Sequence, residues 1–344
     1  MDIRDTYDTN PSDAEVGFGG FHREFGGLLL DFPHDTMFNT INGYTEQQWT
    51  SLTSILIAYR GNVIYERYFN GTNDQTLLPL RSMTKSVTST LIGIAIDRGY
   101  IQDEHQSIQK FFDEAEILNS NPQLLVTTLH ELLNLTSGIQ LFDRDLPNMM
   151  RENPYDWIQP ILQSTVVKRR QFQYKGCDMH LLSAILSRTT HLNAHSFAQQ
   201  KLFYRLEIYD NDWEVDPQGN SIGSTGLKMT TRSIAKIGAL YLNYGSWNRD
   251  VIISSEWVGK SITVQSTGDF QYGMYGYGWW IRCFHGEDAY MTVGAKGQYL
   301  INIPRLATTV VFTSDPAIEQ SDSKSILVKR VIPILEGIIS GISS

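Results

Sequence analysis

Ser82 and Lys85, three positions apart in Arg81-Ser82-Met83-Thr84-Lys85-Ser86, could carry out nucleophilic chemistry if both lie on one helical turn. Residues three apart share a face of a helix, which brings hydroxyl and amine within hydrogen-bond reach. A serine hydroxyl attacks poorly until a neighbouring base takes its proton. Lysine can be that base only as the neutral amine. Lowering its pKa from ~10.4 toward neutrality, by burial or by nearby positive charge, costs about 4 to 5 kcal/mol. The pair therefore has chemical meaning only where it is buried.

The same spacing occurs at Ser233/Lys236 and at Ser321/Lys324. Ser321 falls in the acidic, polar stretch Glu319-Gln320-Ser321-Asp322-Ser323-Lys324, where a lysine stays solvated. Ser233 falls in an amphipathic pattern whose polar face is expected to carry both residues into water. The segment after Ser82 differs, because Val87, Leu91, Ile92, Gly93, Ile94, Ala95 and Ile96 leave no charged face. A helix apolar all round is a buried one. Its first turn offers free N–H groups and a positive dipole end where an attacked carbonyl would gain negative charge. On local grounds alone, Ser82 as a plain N-cap with Lys85 in solvent stays open.

The elements that must position this pair are legible in outline. Residues 54 to 69 read as a hairpin around Arg60-Gly61-Asn62. Three β-like runs, YGYGWWIRCF, YLINIPR and TTVVFTSD, lie near the other end. Helical patterns dominate between them: 82 to 98 closed by Gly99, then TTLHELLNL, MHLLSAILSRT, SFAQQKLFYRL, SIAKIGALYLNY and SSEWVGKSIT. Pro333 should kink or restart the last helix. At 344 residues the chain reads as one domain of mixed α/β (α+β) class. Residues 1–100 plus 216–344 would form an α/β lobe, with 101–215 as a helical insertion.

Composition narrows the partners. A formal net charge of −9, with no basic run longer than Lys168-Arg169-Arg170, argues against nucleic acid. The apolar runs are too short or too interrupted to cross a bilayer core of ~30 Å. The acidic, polar N-terminus lacks the marks of a signal peptide, which favours the cytoplasm. Cys177 and Cys283 do not make a disulfide framework, and a single bridge is left open.

No metal or organic cofactor is expected. His130-Glu131 begins like a zinc-protease motif, but Asn134 stands in place of the second histidine. His191 and His195 lack a third ligand, and Asp210, Asp212, Glu214 and Asp216 read as a solvated acidic turn. Gly223, Gly226, Gly294 and Gly297 form no phosphate loop. Cys177 lacks a convincing histidine partner, and Tyr275 and Trp279 read equally well as core or pocket.

Taken in order, LRSMTKSVTSTLIGIAIDRGYI, LHELLNLTSGI, FQYKGCDMHLLSAIL, DPQGNSIGSTGLKMTTRSIAKIGALYL, YGYGWWI and VGAKGQYLINIP resemble segments of the serine β-lactamase and penicillin-binding-protein-like superfamily. Within it the chain looks closest to the esterase and amidase branch that includes 6-aminohexanoate-dimer hydrolases. The resemblance implies a mostly antiparallel sheet flanked by helices, with a helical lobe. It also implies Ser82 as nucleophile, Lys85 as base, and Tyr174 of Tyr174-Lys175-Gly176 as the group that assists the leaving group. Tyr68, Tyr209 and Tyr241 fit the bare Tyr-x-Asn pattern better, but outside the matching segment. The third motif falls on Thr292-Val293-Gly294, so that the Ala295 N–H would join that of Ser82 as the oxyanion hole. Gly176, Thr292 and Gly294 would line the substrate. Gly176 replaces the family's Asn or Ser, and the third motif's cation is absent, although Lys296 follows. Both departures weaken recognition of penicillin-type substrates. The implied activity is hydrolysis of a small ester or amide. β-Lactamase or D-alanyl-peptidase activity, and a non-turnover acyl- or peptide-binding scaffold, are the alternatives.

Overall fold

The computed structural model describes residues 41–43, 49–167 and 170–343. The polar N-terminal stretch and Lys168 and Arg169 of the basic run lie outside these residues. Strand β1 (Leu52–Tyr59) turns through Arg60 and Gly61 into β2 (Asn62–Tyr68). Both turn residues have positive φ, 47° and 78°, as a two-residue hairpin turn matched to the strand twist demands. After β3 (Leu78–Pro79) the chain enters helix α1 (Thr84–Asp97), which Gly99 closes at φ 76°.

From here to residue 206 the chain is helical. It runs through short helices at Glu114–Leu118, Pro122–Leu125, Leu129–Leu133, Leu146–Glu152 and Ile158–Gln163 to the long α2 (Cys177–Thr190). Several of the short helices carry side-chain N-caps, including capping boxes at Asp113/Glu116 and Thr128/Glu131. The sequence pattern had shown only the third of them. A turn too short to carry a full apolar stripe leaves little periodicity to read.

Strands β4 (Asn211–Trp213) and β5 (Leu227–Met229) pair with β3 in a small sheet, in the order β3-β5-β4. Helix α3 (Thr231–Leu242), the hairpin of β6 (Ser246–Trp247) and β7 (Asp250–Val251), and α4 (Ser255–Ile262) follow. The chain then lays down β8 (Ser266–Asp269), β9 (Gly273–Tyr275), β10 (Trp280–Phe284), β11 (Glu287–Gly294), β12 (Gln298–Ile303) and β13 (Thr308–Ser314). The main sheet is antiparallel throughout, in the order β2-β1-β13-β12-β11-β10-β9-β8. Terminal segments of the chain thus meet at the β1–β13 pairing, as the fold class requires. Helix α5 (Ile332–Ser343) follows a π-helical turn at Leu327–Val331, so Pro333 restarts the helix where an unpaired N–H costs nothing.

The sheet is covered on both faces. Leu300 packs beside Gly238 of α3, and Asn302 donates to the Gly238 carbonyl at 2.9 Å. Its neighbour Tyr299 points the other way, and its hydroxyl bonds the Ser323 carbonyl at the start of the terminal helix. Helix α1 is buried along almost its full length, with every residue from Thr84 to Ala95 inaccessible. Gly93 is required there, because a Cβ would land inside the indole of Trp257 on α4. Gly93→Ala should lower the unfolding free energy by about 1 to 3 kcal/mol, the usual cost of overpacking, as measured by urea denaturation.

Candidate active site

Ser82 sits in a 3₁₀ turn, Arg81–Met83, that runs straight into α1. Arg81 enters it at φ 52°, a left-handed backbone that side chains seldom adopt. The Leu80 carbonyl accepts from Met83 N–H at 3.2 Å, and Thr84 Oγ1 donates to the Arg81 carbonyl at 2.7 Å. One turn on, Lys85 is 2% exposed. Its Nζ donates to Ser82 Oγ at 3.0 Å and to the Ser224 carbonyl at 3.3 Å. The face of the Tyr174 ring lies over it, 4.8 Å from Nζ to the centroid. Among the described residues no carboxylate comes within ion-pair distance of this amine. Ser82 itself is only half-buried, so it can be approached from outside.

Tyr174 is held by aromatic rings. It stacks on Trp280 of β10 at 5.5 Å and 24°, and meets Tyr275 of β9 edge-on at 6.3 Å. Phe172 packs on both partners, at 5.3 Å from Tyr275 and 5.7 Å from Trp280. The next residue turns away: Lys175 is fully buried behind Tyr174, donating to the Ile139 carbonyl at 2.9 Å. Asp178, also fully buried, lies 3.8 Å from its Nζ and accepts from Ser137 Oγ at 2.8 and 2.9 Å. Burial pushes the Asp178 carboxyl up to about 6, against the opposing pull of Lys175. Cys177 beside them is buried and donates to the Leu141 carbonyl at 3.2 Å. Burial and the Asp178 charge push its thiol well up, which removes it as a nucleophile.

A side chain at Gly176 would crowd two neighbouring side chains. A Cβ would stand 2.7 Å from Ser224 Oγ and 3.0 Å from Asp143 Oδ1, and the Gly176 N–H donates to that carboxylate oxygen at 2.6 Å.

On β11, Gly294 backs onto the Ser82 turn so closely that a Cβ would collide with the Leu80 carbonyl oxygen. Ala295, just beyond the strand end, is exposed. Thr292 lies elsewhere than the resemblance implied. It pairs with Leu300, whose side chain faces α3, and is 2% exposed. It borders an apolar crevice with Met83, Val87 and Ile234 of about 10 Å³, too small for more than one water. A substrate contact for Thr292 is therefore dropped: strand alternation turns residue 292 inward.

Comparison with known proteins bears on this geometry. The Beta-lactamase family model matches residues 37–328. The chain belongs to the β-lactamase family. It is 23% identical over 287 residues to the 6-aminohexanoate-dimer hydrolase of Paenarthrobacter ureafaciens, covering 75% of this chain and 71% of that protein. The octameric penicillin-binding protein homologue of Pyrococcus abyssi superposes with a TM-score of 0.69 at 18% identity, over 89% of this chain and 77% of the other. EstCE1, a hydrolase with promiscuous acyltransferase activity, gives 0.70 at 12% identity, over 89% and 99%. At these identities the superpositions speak for the fold. This protein is a hydrolase of the β-lactamase fold.

Within this β-lactamase-family chain the competing Ser/Lys pairs go to other uses. Ser233 is buried, contrary to the solvated face expected, because it completes the Thr230 cap of α3. Lys236 reaches the Glu207 carbonyl at 2.8 Å, and Lys324 pairs with Asp269 at 2.9 Å. Of the other tyrosines, Tyr68 donates to Glu66 at 2.5 Å, Tyr209 is exposed, and Tyr241 is buried against Trp279. His130 bonds Tyr277 at 2.6 Å and Asn134 at 3.0 Å, and His195 bonds Asn211 at 2.6 Å. Among the described residues no three His, Cys, Asp or Glu groups are arranged to hold a metal ion. Cys177 and Cys283 are both free thiols. No helix among the described residues is long and apolar enough to cross a membrane.

Three site neighbours escaped the sequence reading: Ser224, Asp143 and Trp280. Ser224 sat inside a matching segment without a motif of its own, and Trp280 read equally well as core or pocket. A polar cleft of about 800 Å³ also opens in this molecule, lined by His105, His130, Asn134, Arg170 and Ser266 among others, and includes neither Ser82 nor Lys85.

Two outcomes follow from this geometry. Gly294→Ala should force β11 off the Leu80–Arg81 turn and lower hydrolysis of p-nitrophenyl butyrate at least tenfold while the protein remains folded by circular dichroism. For Asp178 the folded carboxyl titrates above its unfolded value of 3.8, so the unfolded state loses its proton first as pH rises. The stability of wild type relative to Asp178→Asn should therefore fall by about 3 kcal/mol between pH 4 and 6, then level off, in urea titrations across that range.

Proposed function

We propose that this protein is a serine hydrolase that cleaves small esters or amides through a covalent acyl-enzyme on Ser82. The observation that carries the reading is the 3.0 Å contact between Lys85 Nζ and Ser82 Oγ, made by a lysine withdrawn from water whose other hydrogen-bond partner is a neutral carbonyl. A base in contact with the hydroxyl is what a serine needs in order to attack. In acylation Lys85 takes the Ser82 proton as Oγ bonds the carbonyl carbon. The carbonyl oxygen becomes the oxyanion, held by the N–H groups of Ser82 and Ala295. Collapse of the intermediate breaks the bond to the leaving group, which receives the proton from Lys85 by way of Tyr174. Water then attacks the acyl carbon, and the same groups return the proton to Ser82. No metal or organic cofactor enters the cycle.

Three features support esters and uncharged amides over β-lactams or D-alanyl peptides, which carry a carboxylate. Thr292 stands where the family's cation would be, and is buried. Gly176 brings no amide side chain. The Gly176 N–H is taken up by an acidic residue, the exposed Asp143. The names of the similar proteins, a 6-aminohexanoate-dimer hydrolase and a hydrolase with promiscuous acyltransferase activity, agree with acyl transfer from amides and esters in general.

Ser82→Ala should abolish hydrolysis of p-nitrophenyl acetate and butyrate, and the wild-type protein should gain one acyl mass on Ser82 in quenched mass spectra. Equal turnover by Ser82→Ala and wild type would refute the assignment. A stable stoichiometric adduct without turnover would instead make the protein a single-use acyl acceptor. Fast hydrolysis of a chromogenic cephalosporin would show that the missing cation matters less than argued.

A further inference from the structure

Ser224 reaches the site from a loop that is tied down on every side. Asp216 accepts the Asn220 N–H at 2.8 Å and its side-chain amide at 2.9 Å, and lies 3.1 Å from the buried His180 on α2. Ser183 of α2 donates to the Ser221 carbonyl at 2.6 Å, and Thr88 of α1 donates to the Gly223 carbonyl at 2.8 Å. Gly223 lies so close to α2 that a Cβ would overlap the Met179 carbonyl. The loop is thus fixed to both helices of the site, and Ser224 is the next residue after these anchors. Its carbonyl accepts from Lys85 at 3.3 Å. Its hydroxyl has no hydrogen-bond partner among the described residues, although the residue is only 6% exposed, and it points at the place where a residue-176 side chain would stand, 2.7 Å from that Cβ.

We propose that Ser224 supplies the polar side chain that position 176 lacks, hydrogen-bonding the bound substrate through Oγ while its carbonyl orients Lys85. This rests on the acyl-enzyme reading above. It accounts for Gly176 physically: a side chain at 176 would crowd the Ser224 hydroxyl out of its present position. Ser224 is then a specificity-determining residue contributed by a different segment from the tyrosine it works beside. A substrate with a hydrogen-bond acceptor near the scissile bond would lose that contact when the hydroxyl is removed.

Ser224→Ala keeps the Cβ and the main-chain carbonyl, so it isolates the hydroxyl. It should lower kcat/KM for p-nitrophenyl butyrate about tenfold, the usual effect of deleting one hydrogen bond to a bound group. The loss should appear mainly in KM, with an unchanged pH profile, because the Lys85 contact is retained. Gly176→Ser alone should lose activity through collision with Ser224, and Gly176→Ser combined with Ser224→Gly should recover most of it by moving the hydroxyl across. Wild-type kinetics for Ser224→Ala, with Ser82→Ala inactive, would overturn this inference and leave the nucleophile in place. Full activity in Ser82→Ala would remove both. A double variant no better than Gly176→Ser, though folded by circular dichroism, would also count against the exchange.

Discussion

An amine taken out of water without a carboxylate beside it is costly, and the site is organised around meeting that cost for Lys85. The solution is to bury α1 on all sides and to give its polar side chains neutral partners on separate elements. Ser86 donates to the Gly278 carbonyl between β9 and β10 at 2.6 Å. Thr88 reaches the 214–226 loop, and Thr90 meets Tyr241 of α3 at 2.9 Å. Each hydroxyl thus satisfies a buried donor and at the same time pins a neighbouring segment against the helix. The groups around Ser82 are held by the hydrogen bonds that make the helix buriable.

The glycines at the contact points follow from the same demand. Gly278, at φ 83°, brings its Cα against the Lys85 carbonyl, and Gly294 brings β11 against the Leu80–Arg81 turn. At both places another element comes so close to the 80–86 stretch that a side chain would crowd its backbone. The segment around Tyr174 uses a different device. Tyr174 is clamped on its outer side by Trp280 and Tyr275, while the residue after it is anchored inward by a buried ion pair. Such a pair contributes little net stability, and its worth lies in fixing direction. Tyr174 cannot swing inward without dragging a charge with it.

Much of this was legible in the residues. The paired positive-φ turn at Arg60-Gly61, the uncharged helix after Ser82 and the stop at Gly99 each rest on local chemistry, and the structure matches them. What the sequence concealed depends on which way a residue faces. Thr292 occupies a motif position, but only the β11–β12 register shows that it looks toward α3. Strand β11 itself opens with Glu287 and Asp288, which hides its β character, because Glu287 is paired with Arg305 across the sheet rim. Ser233 looked solvated on a helical wheel, yet it is consumed by a cap. Ser224 meets Lys85 through its carbonyl and lies against Gly176, relations between distant positions that none of them reveals by itself.

The order of the strands has a further consequence for how the molecule is made. β1 lies between β2 and β13, so Ile55, Leu56 and Ile57 receive their second partner only when residues 308–314 have emerged. Until then the first hairpin carries a long apolar edge with nothing to cover it. Pairings this distant in sequence form slowly, and open edges of that kind invite association with other chains. A growing chain of this protein is therefore most exposed late in its synthesis, and a chain cut short before β13 would hold Ser82 and α1 beside a sheet that cannot close.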